Sequence, residues 1–476
     1  MQTFSKRNLA FFSKDVYITR TTSCAKKGCA VYIFHIDMNF SAYRPAFLKE
    51  LLQQAAHIGF DTVLWEIEDK VALDSLGSSV HPDAMSKAAF KELLAFARQL
   101  GLVSIPLFQT LGHGEYVLEK EAYFSLREQG TPDCYCVSNP DVRRFLSAAI
   151  LEIADLFEDP PLFHLGGDEA YHFAICPQCA ARGRNQLFCE HENALAALLT
   201  QRGIRPAIWH DMPCEHPEVL KELDSRFVIF LWNYDHFEEW PEEKVFAGTG
   251  FDMVICPSSG SCGDSPFMPV WDHHAGNIAG AAALAERLGA RGLCMTSWSI
   301  RLGLKMIQRP FWELGALLKV HGKSFQDAEK EIIGKYFSFK DPESAGAWHL
   351  DLLPLSGVQW DLYKDGVMPP AGYLAEKLAA DPAWGKRAAE ESIRLLERLS
   401  LIQTDPADIW YEAVELKKRY LLCVHRLLTG GEVSDRELRC LERDFCSYLA
   451  KEQLPDSAEH NAQLVFEPLL EYLNSQ

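Results

Sequence analysis

The chain has 476 residues, of which 48% are apolar and 24% are charged, and this composition is typical of a folded globular protein. Forty-seven basic residues against 66 acidic residues give a net charge of −19. That balance argues against a protein that binds nucleic acid or an anionic membrane, because both need clustered Lys and Arg. No apolar run approaches the ~20 residues that span a bilayer, so we expect no membrane partner.

The amino-terminal residues and the cysteines predict the compartment. Residues 1–22 contain charged side chains and no continuous apolar stretch, so we expect no signal peptide. Fourteen cysteines without an export signal are most simply free thiols in a reducing compartment. We therefore expect a cytoplasmic protein in which residues 1–30 form an extension ahead of the first strand.

Residues 31–320 alternate short apolar runs with amphipathic stretches. Eight runs are rich in Val, Ile, Leu and Phe and mostly continuous, which is typical of parallel strands buried on both faces. They are Val31–Asp37, Thr62–Glu68, Leu102–Phe108, Leu162–Gly167, Arg205–Trp209, Phe227–Trp232, Phe251–Cys256 and Gly292–Trp298. Eight strands alternating with helices predict a (β/α)8 barrel. A doubly wound sheet is the alternative, but no G-x-G-x-x-G follows the first strand.

Residues 321–476 have helical rather than strand spacing. The predicted helices are Ser324–Tyr336, Ala371–Ala380, Ala388–Ser400, Ala407–Leu428, Ser434–Ala450 and Glu459–Leu473. We interpret this segment as an α-helical carboxyl-terminal domain that serves packing or dimerisation. A homodimer formed through it is one expectation.

Catalytic groups of such barrels lie at the carboxyl ends of the strands, where this sequence concentrates carboxylates and tryptophans. The tryptophans end strands two, five, six and eight: Trp65, Trp209, Trp232 and Trp298. Sugar rings pack their apolar C–H faces on aromatic walls, and their hydroxyls need polar partners. The pattern therefore predicts a carbohydrate pocket. The alternative for any one tryptophan is that it caps the barrel as core.

An adjacent acid pair follows strand four in His164-Leu165-Gly166-Gly167-Asp168-Glu169. Neighbours on a strand point to opposite faces, but two glycines let the backbone turn once the strand has ended. One acid could then protonate a leaving oxygen while the other holds a substrate group. This arrangement fits substrate-assisted glycoside hydrolysis better than the usual scheme of two carboxylates on separate strands.

These motifs resemble those of glycoside hydrolase family 20, the β-N-acetylhexosaminidases, and most closely the compact hexosaminidase D branch. The resemblance covers about residues 31–315 and six motifs in order. They are Glu66-Ile67-Glu68-Asp69, Gln109-Thr110-Leu111-Gly112-His113-Gly114-Glu115, the acid-pair motif, Trp209-His210-Asp211-Met212, Leu231-Trp232-Asn233-Tyr234-Asp235 and Thr296-Ser297-Trp298. The resemblance implies an enzyme that removes terminal β-linked GlcNAc or GalNAc and needs no cofactor for catalysis.

The resemblance also implies residue roles. Glu169 would be the general acid and then the general base, Asp168 would orient the 2-acetamido group, and Tyr234 would hydrogen-bond its carbonyl oxygen. That oxygen would attack the anomeric carbon and form an oxazolinium intermediate with net retention. The substrate-binding candidates are His113, Trp209, Trp232, Trp298, Asp37, Glu68 and Asp211. We expect a raised pKa for Glu169, since a general acid must be protonated near neutrality.

The sequence departs from the family pattern at three places. Larger members carry an α/β domain before the barrel, for which 30 residues are too few. They have a Glu two residues after the last-strand Trp, where this chain has Ile300, and Arg44 only loosely matches an Arg that holds sugar hydroxyls. Asp37, Glu68 and Asp69 are the candidates to replace these contacts.

A cysteine pair lies just after the acid pair. Cys176 and Cys179, with Cys189 and His191, have the spacing C-x2-C-x9-C-x-H; we interpret them as free thiols, and a structural zinc site is the alternative.

Two other functions remain as alternatives. A sugar-binding barrel that has lost catalysis would keep the tryptophans and lose the acid, whereas Asp168, Glu169 and Tyr234 are all present. A metal-dependent amidohydrolase-like barrel would place His ligands on strand one, which here reads His-Ile-Asp rather than His-x-His.

Overall fold

The computed structural model describes residues 31–234, 240–261, 264–298, 303–336, 338–339, 372–403 and 409–475. The expected extension, residues 1–30, lies outside these ranges. One sheet contains nine strands. They are β1 (Val31–Asp37), β2 (Thr62–Glu66), β3 (Val103–Leu107), β4 (Leu162–His164), β5 (Arg205–Trp209), β6 (Val228–Trp232), β7 (Asp252–Cys256), β8 (Ser258–Gly260) and β9 (Gly292–Ser297).

Eight of these strands close into a parallel barrel. Each strand from β1 to β6 pairs with the next, β7 pairs with β9, and β9 pairs with β1 to close the ring. The predicted (β/α)8 barrel is therefore confirmed, with all eight predicted strands in place. The sequence did not predict β8, a three-residue strand that pairs with the end of β9.

The barrel strands are apolar on both faces because one face lines the barrel and the other packs on helices. On β1, Ile33 lies in the barrel interior, while Tyr32 and Phe34 join the outer core. Towards the carboxyl end, the register pairs Asp37 with Glu66 at the same level. The barrel therefore has an apolar interior and a polar carboxyl end.

Helices form the layer outside the barrel. The longer ones are α1 (Pro45–Ile58), α2 (Lys87–Gln99), α3 (Pro140–Leu156), α4 (Arg184–Gln201), α5 (Trp271–Arg287) and α6 (Arg309–Lys319). Their ends carry the expected signals: the Ser86 hydroxyl accepts a hydrogen bond from the amide of Ala89 at the start of α2. At the end of α1, Gly59 adopts a φ of 110°, which a residue with a side chain rarely reaches.

The carboxyl-terminal region is helical, as predicted. Its helices are α7 (Phe325–Tyr336), α8 (Tyr373–Ala380), α9 (Pro382–Leu399), α10 (Ile409–Leu428), α11 (Asp435–Leu449) and α12 (Pro455–Ser475), with a two-residue antiparallel pair β10 (Ser338–Phe339) and β11 (Ile402–Gln403). None of the helices in the described ranges is long and apolar enough to cross a membrane.

The helical region packs directly on the barrel. Both carboxylate oxygens of the buried Glu452 accept backbone amides, from Lys305 at 2.6 Å and Met306 at 3.0 Å. The ring of Phe267 lies between those of Tyr420 and Phe445, at centroid distances of 5.1 and 4.9 Å. Polar and apolar contacts thus join the two predicted domains.

Candidate active site

The acid pair leaves the barrel through a turn made by two glycines. Gly166 and Gly167 have φ values of 70° and 85°, in the left-handed region that favours glycine. A Cβ on Gly166 would lie 2.0 Å from Oε1 of Gln109, so the turn also has no space for a side chain. Beyond the turn, the Asp168 side chain is 7% exposed and that of Glu169 is 36% exposed.

His113, in the loop after β3, faces both acids. Its Nε2 lies 3.4 Å from Oδ2 of Asp168 and 3.3 Å from Oε2 of Glu169. Both His113 (φ 51°) and Glu169 (φ 45°) have left-handed backbone conformations, which are uncommon for residues with side chains. The structure thus brings one imidazole between two adjacent carboxyl groups.

The contact between His113 and the two carboxylates shifts the pKa values of His113 and Glu169. Burial lowers the pKa of His113, but the carboxylates of Asp168 and Glu169 outweigh burial and raise that pKa well above its usual value. In return, the hydrogen bond from His113, together with one from the Tyr171 hydroxyl at 2.8 Å, lowers the pKa of Glu169. The expected raised pKa of Glu169 is therefore wrong for the site in this structure, because the hydrogen bond from His113 stabilises the ionised carboxylate.

Asp211 holds the backbone of the acid pair. Its Oδ2 accepts the amide hydrogen of Glu169 at 2.7 Å. Burial, followed by the nearby charge of Asp168, raises the pKa of Asp211 to about 8. Asp211, which was predicted to bind substrate, thus positions the backbone of Glu169 through Oδ2.

Three of the four predicted tryptophans line the inner face of the barrel mouth. The indole Nε1 of Trp298 donates to the hydroxyl of Tyr234 at 2.8 Å, and Trp232 stacks on Tyr234 with centroids 5.2 Å apart. The ring of Trp209 lies 6.0 Å from that of Trp298 and is fully buried, so it forms the deepest part of the aromatic wall.

The fourth tryptophan, Trp65, does not belong to the aromatic wall. The prediction that it lines the pocket is wrong, and the alternative, a core position, is correct. Its ring packs against Phe90 of α2, and its Nε1 donates to the Ser104 hydroxyl at 3.1 Å. Because adjacent strand residues point to opposite faces, the inward position at the end of β2 belongs to Glu66.

Glu66 belongs to a buried polar network. Its carboxylate accepts from Nε2 of His35 at 3.0 Å and from Nε2 of Gln109 at 3.0 Å. The Nδ1 of His35 accepts the amide of Ser297 at 3.4 Å, so the imidazole proton lies on Nε2. Burial raises the pKa of Glu66.

The carboxylates proposed to replace the missing sugar contacts lie deep in the site. Asp37 and Glu68 are each only 2% exposed. Burial, reinforced by the charge of Glu66, raises the pKa of Glu68 well above its usual value. Asp69 pairs with Lys70 at 2.6 Å.

Sequence reasoning missed Lys305. Its ammonium donates to the hydroxyl of Ser297 at 2.8 Å and to the carbonyl of the same residue. Burial lowers the pKa of Lys305 to about 8. The available signal was a single lysine in an apolar stretch, between Leu304 and Met306.

Several buried polar atoms of the site have no hydrogen-bond partner among the described protein atoms. They include His164 Nε2, Asp168 Oδ1, Trp209 Nε1, Asp211 Oδ1 and Trp232 Nε1. Buried polar groups without partners are rare in folded proteins, and they are typical of places where a polar ligand binds. Asp235 and Ile300, which the sequence analysis singled out, lie outside the described residues.

The alternative zinc site, made of Cys176, Cys179, Cys189 and His191, is wrong for its last two residues. The Sγ of Cys189 contacts the carbonyl of Val219, and Nε2 of His191 donates to the carbonyl of Thr110 at 3.0 Å. Burial lowers the pKa of His191 to about 4, so the ring is neutral. The thiols of Cys176 and Cys179 instead face Glu128 and Cys136.

A closed (β/α)8 barrel with an acid pair and an aromatic wall at its carboxyl end defines a glycoside hydrolase. The sequence matches the catalytic domain of glycosyl hydrolase family 20 over residues 42–283. The chain belongs to that family.

Two curated relatives are similar in sequence, and one solved structure is similar in fold. The chain is 26% identical to Hexosaminidase D of Homo sapiens over 294 residues, covering 56% of this chain and 59% of the human protein. It is 27% identical to Hexosaminidase D of Bos taurus over 296 residues, covering 56% of this chain and 83% of the bovine protein. The β-N-acetylhexosaminidase from Bacteroides fragilis is similar in fold, with a TM-score of 0.50 and 17% identity over 64% of this chain and 70% of that chain.

Proposed function

We propose that the protein is an exo-β-N-acetylhexosaminidase that removes terminal β-linked GlcNAc or GalNAc with retention of configuration. The observation that carries the proposal is the convergence of Asp168 and Glu169 on the imidazole of His113. The wall made by Tyr234 and Trp298 is close enough for the charge of Asp168 to raise the pKa of the tyrosine, after the larger effect of burial. Family membership and the names of the relatives support the same activity.

In this proposal Glu169 acts first as an acid. Its partly exposed carboxyl protonates the glycosidic oxygen as the bond from that oxygen to the anomeric carbon breaks. The acetamido oxygen of the substrate forms the new bond to the anomeric carbon, giving an oxazolinium ring. Glu169, now a carboxylate, then takes a proton from water, whose oxygen attacks the anomeric carbon and opens the ring.

Asp168 and Tyr234 hold the acetamido group. Oδ1 of Asp168 has no protein partner among the described atoms, so it can accept the acetamido N–H and stabilise the positive charge of the intermediate. The hydroxyl of Tyr234 accepts from Trp298 and also bonds the side chain of Thr296, and in this proposal its proton is donated to the acetamido oxygen when the substrate binds. The proposed reaction needs no cofactor, because the nucleophile comes from the substrate.

His113 supplies the proton that Glu169 needs. The raised pKa of His113 favours a proton on its imidazole, whose Nε2 lies 3.3 Å from Oε2 of Glu169. A sugar seated over Glu169 excludes water from the carboxylate, and desolvation favours the neutral carboxyl form. Substrate binding is therefore expected to move the proton from Nε2 of His113 to Glu169.

The test is release of p-nitrophenol from matched β-GlcNAc, β-GalNAc and β-glucoside substrates, with and without EDTA. We expect cleavage of the two acetamido sugars only, since the glucoside has no internal nucleophile. A thiazoline analogue of GlcNAc should inhibit, because it has the shape of the cyclised intermediate. Equal cleavage of the glucoside, or no effect of the thiazoline, would contradict substrate assistance.

A further inference from the structure

Three cysteines and a glutamate meet beside the acid-pair loop. The Sγ of Cys136 lies 3.9 Å from that of Cys176 and 3.8 Å from that of Cys179. Oε2 of Glu128 lies 3.4 Å from the Sγ of Cys179. All four ligand atoms lie within 4.8 Å of one another, and the side chains of Glu128 and Cys179 are buried.

These distances match the edges of a tetrahedron around zinc. With Zn–S bonds of about 2.3 Å and a Zn–O bond of about 2.0 Å, tetrahedral angles separate two sulfurs by roughly 3.8 Å and a sulfur from an oxygen by roughly 3.5 Å. The observed S···S distances of 3.8 and 3.9 Å and the S···O distance of 3.4 Å agree with both values.

Two backbone amides and a neighbouring hydroxyl orient the ligands of the cluster. The second oxygen of Glu128, Oε1, accepts the amide of Cys176 at 2.6 Å, which leaves Oε2 facing the sulfurs. The Sγ of Cys176 accepts the amide of Cys179 at 3.4 Å, and the Ser138 hydroxyl lies 3.1 Å from the Sγ of Cys179. Amide and hydroxyl donors of this kind stabilise thiolates and fix their direction towards a metal.

We propose that Glu128, Cys136, Cys176 and Cys179 bind one structural zinc ion. The four ligands fill its coordination shell, as is typical of structural rather than catalytic zinc. The ion would join two loops: Glu128 and Cys136 follow β3, in the loop that carries His113, and Cys176 and Cys179 follow β4, in the loop that carries Glu169. It would thereby help to hold the imidazole against the acid pair without entering the reaction.

The first test measures metal in the intact protein. The chain is expressed with zinc in the medium, purified under reducing conditions without chelator, and analysed by native mass spectrometry and elemental analysis. We expect one zinc ion per chain. Replacement of zinc by Co²⁺ should give the visible absorption of a tetrahedral cobalt thiolate. A chain that holds no stoichiometric metal and takes up no cobalt would overturn the proposal.

Variants assign the ligands. Cys176→Ser should lose at least ~90% of the bound zinc, because a neutral hydroxyl is a far weaker ligand than a thiolate. Cys189→Ser is the matched control, because Cys189 is close in sequence but contacts Val219 instead. Retention of zinc by Cys176→Ser, or its loss from Cys189→Ser alone, would contradict the assignment.

Two further measurements keep the test decisive. If Cys176→Ser does not fold, Glu128→Gln should still bind zinc more weakly in a competition with a coloured chelator, because it replaces the charged ligand by a neutral amide. A disulfide between Cys136 and Cys176 in the protein isolated under air, with no zinc, would assign the cluster to thiol oxidation and overturn the proposal. None of these readouts depends on the glycosidase activity.

Discussion

Glu169 and Asp168 are adjacent in sequence but have different surroundings, so their variants should fail differently. Glu169→Gln removes the proposed general acid, and we expect kcat to fall by about 10²–10⁴-fold on substrates with poor leaving groups and by less on nitrophenyl substrates, which need little protonation. Asp168→Asn should slow the first step on both kinds of substrate, because it weakens stabilisation of the oxazolinium ion.

These rates are measured on purified variants whose melting temperatures match that of the parent. Glu119→Gln, at an exposed position after His113, is the control and should be silent. Turnover at the parent rate in either acid variant would contradict its assigned role.

In the proposed mechanism, His113 sets the pH range in which Glu169 can receive the catalytic proton. In the parent protein the pair of His113 and Glu169 keeps its proton until the pH exceeds the raised pKa of the imidazole. In His113→Asn only the carboxyl can hold that proton, and a carboxyl has a lower pKa than this imidazole. The basic limb of the kcat/KM profile should therefore move to lower pH.

The measurement is a full pH profile of kcat/KM for both proteins. His172→Asn is the matched control, because the exposed His172 pairs with Asp133 at 2.8 Å rather than with Asp168 or Glu169. A basic limb that stays in place in His113→Asn would show that the imidazole does not store the proton.

The sequence could predict which residue types meet at the site, but not their charge. The strand-end rule brought His113, Glu169 and Trp298 together, because side-chain direction follows from strand period. The same rule, applied to Glu66, would have turned Trp65 outwards. The pKa of Glu169 depends on the 3.3 Å contact with His113, and a contact between two loops has no signature in sequence spacing.

At the scale of elements, the loops after β3 and β4 touch through Gly112. A Cβ there would lie 2.3 Å from the carbonyl oxygen of Asp168, which is backbone and cannot rotate away. Gly112→Ala should displace the acid pair and lower kcat/KM by roughly a hundredfold, since a displacement near 1 Å has effects of that size. The stability loss should be about 1–3 kcal/mol.

Steady-state kinetics and thermal unfolding together check this prediction. Gly334→Ala is the control, because its Cβ would meet nothing within 4 Å near the end of α7. Parent-like kinetics in Gly112→Ala would show that the loops can separate without loss of function.

The strands were easier to predict than the cysteine cluster. A buried parallel strand can be recognised from its own short run of apolar residues. Accordingly, β1 and β5 have the predicted bounds. The cluster instead joins Cys136 to Cys176, 40 residues further along. Local spacing therefore pointed to Cys189, which is near in sequence but contacts the carbonyl of Val219 instead of the cluster.

At the scale of the whole molecule, Glu452 connects the helical region to the active site. It accepts the amides of Lys305 and Met306, and the side chain of Lys305 holds Ser297, the neighbour of Trp298. Glu452→Ala removes two buried acceptors, so we expect a loss of about 2–4 kcal/mol in unfolding free energy. It should also lower kcat/KM, because Trp298 loses its support.

Chemical denaturation and kinetics on the full chain check both effects, with Glu459→Ala on the exposed side of α12 as the control. Loss of stability with unchanged kcat/KM would limit Glu452 to a packing role. The domain boundary at residue 320, the homodimer and the cytoplasmic location stay predictions.

The left-handed backbone of Glu169 has a consequence for the evolution of this fold. The left-handed conformation costs a residue with a side chain roughly 1–2 kcal/mol of folding free energy relative to an ordinary backbone conformation. His113, which is also left-handed, has the same cost. Selection for activity therefore keeps Glu169 and His113 at positions where selection for thermal stability alone would favour glycine. Glu169→Gly should melt at a higher temperature than the parent while losing activity, and a family member freed from catalysis would be expected to drift towards such replacements. An unchanged or lower melting temperature would show that the contacts of the Glu169 side chain compensate for its backbone.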